Sequence, residues 1–147
     1  MQNSGKAIDF GNLFHEILSK IITSKDVEKV ISIYHQQGVV NKEQQIFITK
    51  SILSIVNHPE LELYFSDKVK VFNEREIVDV DNQIIILDRL IFIADKKVVI
   101  IDYKTGNPSS EHHQQLLRYE RTLKLMNFII EKKLLIYINE EIDVVEV

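Results

Sequence analysis

The stretch from Ile84 to Lys104 reads IIILDRLIFIADKKVVIIDYK and contains two apolar runs separated by a short polar segment. Each run has the length and β-branched content of a buried strand. The polar segment, Ala94–Lys97, is short enough for a tight hairpin, so the sequence predicts two antiparallel neighbours. Asp88 and Asp102 then lie near the strand ends far from the turn. Two adjacent strands can bring both carboxylates to one cation.

The tripeptide Asp102-Tyr103-Lys104 closes the second run. Side chains alternate along a strand, so Asp102 and Lys104 share one face while Tyr103 points to the other. A carboxylate that can hold a divalent cation, beside a lysine that can orient or deprotonate water, is a minimal kit for metal-assisted hydrolysis. By itself the tripeptide is a weak signal.

The composition indicates one folded domain over residues 1–147, with a helical part at 10–58 and a catalytic sheet and helix at 68–147. The chain has 147 residues, of which 45% are hydrophobic and 27% charged, enough for one packed core. Four Gly, two Pro and no low-complexity tract leave no obvious linker.

Several classes of protein are excluded or disfavoured by the same numbers. The chain has no cysteine, which excludes a disulfide framework, a thiolate-held iron–sulfur cluster and a cysteine nucleophile. A bound metal should therefore have oxygen ligands, with or without one imidazole. The sequence shows neither a membrane span of about 20 apolar residues nor a signal peptide, so we expect a cytoplasmic protein. A net charge of −4 argues mildly against gripping nucleic acid by bulk electrostatics.

The periodicity of apolar residues predicts an α/β fold with a mixed sheet flanked by helices. Three helices are expected first, then three consecutive strands from Lys68 onward, then a helix capped by Ser109 or Ser110, and finally one or two strands. The predicted bounds are helices from Asp9 to near Thr23, 26–34, 42–56 and 110–129, and closing strands at 133–139 and 142–147.

Four motifs in this order resemble the PD-(D/E)XK nuclease superfamily, specifically the RecB-like and AddA-like nuclease domains at the C-terminus of bacterial UvrD-type helicase–nucleases. They are GNLFHEIL (11–18), LDRL (87–90), IDYKTG (101–106) and QLLRY (115–119). The sequence NEREI (73–77) resembles the strand before the first aspartate of that group. The resemblance spans about residues 10–139 and implies a restriction-endonuclease-like core. Leu87 departs from it, because related sequences more often have Gly or Pro there.

The resemblance implies a role for each matching residue. Asp88 and Asp102, the backbone carbonyl of Tyr103 and the imidazole of His15 would bind Mg²⁺ or Mn²⁺. Lys104 would position or activate the attacking water. Without the resemblance, His15 would be interpreted as a partly buried structural histidine, because its helix neighbours are apolar.

Two further pairs of residues remain open at this point. Gln115 and Tyr119 are four residues apart, so they project from one helix face, where they would contact DNA or support the site. Glu74 and Glu76 share a predicted strand face. One of them approaches the metal, or both are ordinary exposed glutamates.

The function implied by the resemblance is a Mg²⁺- or Mn²⁺-dependent deoxyribonuclease of exonuclease type, acting in recombinational DNA repair on strands delivered by a helicase. Its partners would be DNA and a helicase domain or subunit. The alternative is a catalytically silent domain of the same fold that docks a helicase or holds DNA. The intact Asp102-Tyr103-Lys104 set favours the enzyme.

Overall fold

The computed structural model describes residues 9–147 and has the predicted α/β architecture: one mixed five-stranded sheet with helices on both faces. The strands lie side by side in chain order and are all antiparallel except for the pair β3–β4, which is parallel. The helices are α1 (Phe10–Leu18), α2 (Val27–Gln36), α3 (Lys42–Val56) and α4 (Ser110–Leu125). The strands are β1 (Lys70–Val78), β2 (Ile84–Phe92), β3 (Lys97–Lys104), β4 (Ile129–Ile138) and β5 (Ile142–Glu146).

The hairpin predicted between the two apolar runs is present. Leu90 of β2 pairs with Ile100 of β3, and the backbone N–H of Ile93 donates to the carbonyl of Lys97 across the turn. Helix α4 then crosses over the sheet and makes β4 parallel to β3, because a parallel pair needs a long connection. The crossover places the N-terminus of α4 at the end of β3, beside Lys104.

Two hydrophobic cores lie on opposite faces of this sheet. Helices α1, α2 and α3 cover one face, where Ile91, Val99 and Ile101 are buried. Helix α4 covers the other face, over Val98 and Ile100. As predicted, Tyr103 belongs to the first core, while Asp102 and Lys104 lie together on the face of α4.

The first helix ends five residues earlier than predicted, at Leu18 instead of Thr23. The carbonyl oxygens of Ile21 and Ile22 do not continue a helix but accept hydrogen bonds from Arg89, at 2.6 Å each. Periodicity predicted a longer helix because Ile21 keeps the apolar spacing and is fully buried. The spacing of apolar residues does not show that Arg89, which is distant in the chain, needs these carbonyls as hydrogen-bond acceptors.

The boundary between α4 and β4 was also predicted wrongly. The helix ends at Leu125 and the strand begins at Ile129, whereas the expected positions were Ile129 and Lys133. Asn127 has a left-handed backbone, with φ 69°. The N–H groups of Asn127 and Phe128 donate to the carbonyls of Lys124 and Leu123, which is a Schellman motif and stops the helix.

Arg89 joins the helical part of the chain to the sheet. Its side chain is fully buried, and its guanidinium donates to the carbonyls of Ile21, Ile22 and Tyr64 and to Asn73 Oδ1. The guanidinium carbon also lies 3.9 Å from the ring centre of Phe65. Because a buried cation must have its donors satisfied, this network fixes the loop after α1 against β2.

None of the helices within residues 9–147 combines the length and apolar character needed to cross a lipid bilayer.

Candidate active site

The two aspartates come together where β2 and β3 run side by side, as the hairpin predicted. The pairing of Arg89 with Ile101 sets Asp88 and Asp102 opposite one another at the next position. The backbone N–H of Tyr103 donates to Asp88 Oδ2 at 2.9 Å, which holds that carboxylate against β3. Asp102 is almost wholly buried, with 2% of its surface exposed.

His15 reaches the same point from helix α1. Asp9 caps this helix by accepting from the N–H of Asn12, and its apolar face, which includes Phe14 and Leu18, is buried against the sheet. The imidazole Nε2 lies 2.7 Å from the carbonyl oxygen of Tyr103, to which it donates, and 3.0 Å from Asp88 Oδ2. One ring nitrogen therefore contacts two of the oxygens that the family resemblance implies as metal ligands.

Lys104 lies on the other side of Asp102. Its Nζ is 3.0 Å from Asp102 Oδ2, and its side chain is 21% exposed. The Asp102 side chain is only 3% exposed, so this ion pair is the contact that compensates its charge on the side away from Asp88. A buried carboxylate is stable only where a positive charge lies beside it.

The charges of these groups perturb one another. Burial and the nearby negative charge of Asp88 raise the pKa of Asp102 to about 7, against the opposing effect of Lys104. The hydrogen bond with Asp88 raises the pKa of His15 to about 9, although burial lowers it. Burial also acts to raise the pKa of Asp88, but the hydrogen bond and charge of His15 outweigh it, so that pKa is lowered. A proton on His15 thus supplies the positive charge that the two carboxylates require.

The donor set fits a hard divalent cation. Two carboxylates, a backbone carbonyl and an imidazole are ligands that Mg²⁺ and Mn²⁺ accept. In the part of the chain from Asp9 onward, no three His, Asp or Glu side chains are already spaced to hold a metal ion. The donor set also includes the backbone carbonyl of Tyr103, to which Nε2 of His15 donates its proton. Cation binding through His15 therefore requires loss of this proton.

Helix α4 carries the two remaining predicted residues beneath the site. Tyr119 is buried in the α4 core with Leu116, and its pKa is raised by burial and by the negative charges of Asp102 and Asp88. Gln115 is half-buried one turn earlier. Within residues 9–147 neither side chain hydrogen-bonds to Asp88 or Asp102. With 4% of its surface exposed, Tyr119 is less accessible to DNA than Gln115, and the roles of both residues stay predictions.

Glu74 is a carboxylate near the site that the sequence did not separate from Glu76. It lies opposite Asp88, between the pairs Asn73 with Arg89 and Arg75 with Leu87, and its φ of 51° is left-handed. Partial burial and the charge of Asp88 raise its pKa. Glu74 is exposed and accessible to a ligand.

The backbone at Glu74 also breaks the regular alternation of the hairpin. Val71 packs in the core under α1–α3, whereas Ile77, an even number of residues along β1, packs in the core under α4. On β2, Ile91 packs in the core under α1–α3, whereas Leu87, also an even number of residues away, is fully buried in the core under α4. The two acids of this position, Glu74 and Asp88, therefore lie where the hairpin changes from one face of the sheet to the other.

Comparisons with known proteins identify the family of this chain. A comparison with curated proteins finds no match. Among solved structures, the crystal structure of a protein designated SSO0001 is similar, with 21% sequence identity and a TM-score of 0.39; the match covers 90% of this chain and 65% of that one. The family model described as the PD-(D/E)XK nuclease superfamily matches residues 2–132 and so includes all of the motifs described above. The chain therefore belongs to the PD-(D/E)XK nuclease superfamily.

Proposed function

We propose that this protein is a Mg²⁺- or Mn²⁺-dependent deoxyribonuclease whose active site consists of His15, Asp88, Asp102, the carbonyl of Tyr103 and Lys104. The observation that carries the proposal is the buried Asp102 carboxylate, which faces Asp88 across β2 and β3 and lies 3.0 Å from Lys104 Nζ. Two carboxylates at one buried position repel each other unless positive charge lies beside them. Membership of a nuclease superfamily supports the same reaction.

The residues divide the work of hydrolysis between them. Asp88, Asp102 and the carbonyl of Tyr103 would hold the cation, with His15 as a further donor. A cation bound there would polarise the phosphodiester and stabilise the negative charge that develops on it. Lys104, partly exposed beside Asp102, would orient the water whose oxygen bonds to phosphorus as the bond to the leaving oxygen breaks. The N–H of Tyr103 keeps Asp88 in position throughout.

The first test is cleavage of end-labelled single-stranded and double-stranded DNA with Mg²⁺ or Mn²⁺, beside EDTA and an Asp102→Asn variant. Asp95→Asn is a matched control, because Asp95 lies exposed in the turn of the same hairpin. We expect metal-dependent cleavage that Asp102→Asn abolishes and Asp95→Asn leaves unchanged. Cleavage that survives in Asp102→Asn would reject this site. DNA binding without cleavage by the parent protein would favour the alternative, a silent domain that holds DNA or docks a helicase.

Exonuclease action is the form we propose, and a circular substrate tests it. Linear single strands should shorten from an end, while closed circular single strands of the same sequence should stay intact. Linearisation of the circles would show an endonuclease.

We further propose that a helicase supplies the strand, in recombinational repair. The support is electrostatic: the net charge is −4, and several basic side chains are already paired with acids, including Arg118 with Asp79, Lys97 with Glu131 and Lys133 with Glu120. Such a surface captures DNA weakly by itself. Addition of a UvrD-type helicase and ATP should stimulate cleavage of duplex DNA. No stimulation over the nuclease alone would count against this partner.

A further inference from the structure

His112, which lies outside the four motifs, is in the first turn of α4, near the candidate active site. Its Nδ1 is 2.8 Å from the hydroxyl of Tyr137, and the two ring centres are 5.6 Å apart. Tyr137 is 99% buried on β4, so its position is fixed by the core. The imidazole of His112 is therefore held in one orientation by one of its two nitrogens.

The position of this imidazole is tied to Lys104. Tyr137 pairs with Lys104 across the parallel strands β3 and β4. Burial, and next the positive charge of Lys104, lower the pKa of His112. Tyr137 thus links His112 to the strand position of Lys104, which is itself paired with Asp102.

The second nitrogen of His112 is available to a ligand. Nε2 makes no hydrogen bond to any residue from Asp9 onward, and the side chain is only half-buried. When the hydroxyl of Tyr137 donates to Nδ1, the proton of the neutral ring is on Nε2, which is then a donor. A donor beside an ammonium group suits a phosphate oxygen, which is an anionic acceptor.

We propose that His112 is a DNA-contacting residue: its Nε2–H donates to a non-bridging oxygen of the phosphodiester next to the one that is cleaved. This inference rests on the proposed nuclease function. Lys104 would face the scissile group and His112 its neighbour, so that His112 fixes the register of the strand in the site. Tyr137 acts through His112 and is a positioning residue.

The test combines His112→Ala with DNA in which single phosphates are replaced by uncharged methylphosphonates. His113→Ala is the control, since His113 is the adjacent residue on α4 and is also half-buried. In the parent protein, one methylphosphonate beside the cleavage position should weaken binding about tenfold, the size of a charge-assisted hydrogen bond. In His112→Ala, binding of unmodified DNA should fall by the same factor, and that methylphosphonate should have no further effect. Circular dichroism checks that each variant is folded.

Binding is measured by fluorescence anisotropy of short single strands with Ca²⁺, and cleavage separately with Mg²⁺. His112→Gln, which retains an N–H donor, should recover part of the affinity. In cleavage, His112→Ala should raise KM more than it lowers kcat. An undiminished methylphosphonate penalty in His112→Ala, equal losses in His113→Ala, or no DNA binding by the parent would each overturn the proposal. Binding that depends on His112 without any cleavage would overturn the nuclease function and leave the contact standing.

Discussion

At the scale of single residues, Nε2 of His15 lies where two oxygen donors converge, within 2.7 Å of the Tyr103 carbonyl and 3.0 Å of Asp88. The proton on this nitrogen takes the place of a positive ion between oxygens that would otherwise repel. The ionised form of Asp102 is also disfavoured, because burial and the negative charge of Asp88 raise its pKa. The protonated imidazole of His15 thus supplies positive charge among the acidic groups of the candidate site.

The metal-free protein should lose stability as the pH rises. The pKa of His15 is about 9 when folded and 6.5 when unfolded, so its contribution is complete below pH 6.5 and disappears as the pH rises through 9. The pKa of Asp102 is raised from 3.8 to about 7, so ionisation of the folded protein becomes unfavourable over that interval, which has the same sign.

Thermal unfolding in EDTA, at pH values from 5 to 9 and about one unit apart, measures how Tm depends on pH. We expect Tm to fall with rising pH, and His15→Gln to flatten the upper part of the curve. Saturating Mn²⁺ should raise Tm most at high pH, where it no longer competes with protons. A Tm in EDTA that rises steadily up to pH 9 would contradict these assignments.

Lys104→Ala separates water positioning from metal binding. We expect cleavage to fall by about 100-fold or more, the range for loss of a positioned proton-transfer group. The affinity for Mn²⁺ should be kept or increase, because a positive charge 3.0 Å from Asp102 is removed. Titration calorimetry measures the affinity, and Lys97→Ala on the same strand is the control. Equal cleavage by Lys104→Ala and the parent would remove this lysine from the mechanism.

At the scale of elements, helix ends and strand faces depend on single backbone conformations. Glu74, Asn82 and Asn127 have left-handed φ values, at a face change, a hairpin turn and a helix end respectively. The turn at Asn82 is further held by Asp79, which accepts from the N–H groups of Asp81 and Gln83 and pairs with Arg118 on α4. These residues set where the site-bearing elements begin and end.

Asn127 should be replaceable by glycine but not by alanine. Its φ of 69° costs an alanine about 1 kcal/mol, whereas glycine adopts it freely. We therefore expect Asn127→Ala to lower the free energy of unfolding by about 1 kcal/mol and Asn127→Gly to keep it within about 0.5 kcal/mol. Urea unfolding measures both, with Asn107→Ala, in an exposed loop, as the control. Equal stability of the alanine and glycine variants would show that the backbone relaxes there.

At the scale of the whole molecule, the helical part and the sheet are joined through Arg89. In the described chain its guanidinium has carbonyl and amide oxygens as partners and no carboxylate. The loop that follows α1 is thereby fixed to β2, one residue after Asp88. The same contact that stabilises the fold therefore sets the distance between His15 and the aspartates.

Arg89→Met should destabilise the protein by about 3 kcal/mol or more. The apolar side chain fills part of the volume, but it leaves the carbonyls of Ile21, Ile22 and Tyr64 buried without donors. Urea unfolding gives the change, and Arg75→Met on the exposed part of β1 should cost less than about 1 kcal/mol. A loss for Arg89→Met as small as that of the Arg75 variant would mean that water replaces the guanidinium.

Much of the fold could be predicted because the spacing of apolar residues indicates which face of a helix or strand is buried. The two apolar runs, the turn between them and the crossover helix were confirmed, and so was α3, which has the predicted bounds. The predicted C-terminal ends of α1 and α4 were wrong. After α1, the carbonyl of Ile21 binds Arg89 instead of continuing the helix, and after α4 the left-handed backbone of Asn127 ends the helix. That the chain is one domain stays a prediction.

The sequence by itself determined the order of the elements and the pairing of β2 with β3, because these follow from local pattern and spacing. The residues of the candidate site were indicated by the resemblance of four motifs to a nuclease family. Tertiary structure alone decided that Nε2 of His15 lies between Asp88 and the Tyr103 carbonyl, and that Glu74 rather than Glu76 adjoins Asp88. It also decided that His112 is held by Tyr137, whose neighbour on β3 is Lys104. Each of these depends on contacts between residues distant in the chain or on a single left-handed backbone. Long-range packing sets such contacts, and no local periodicity contains them.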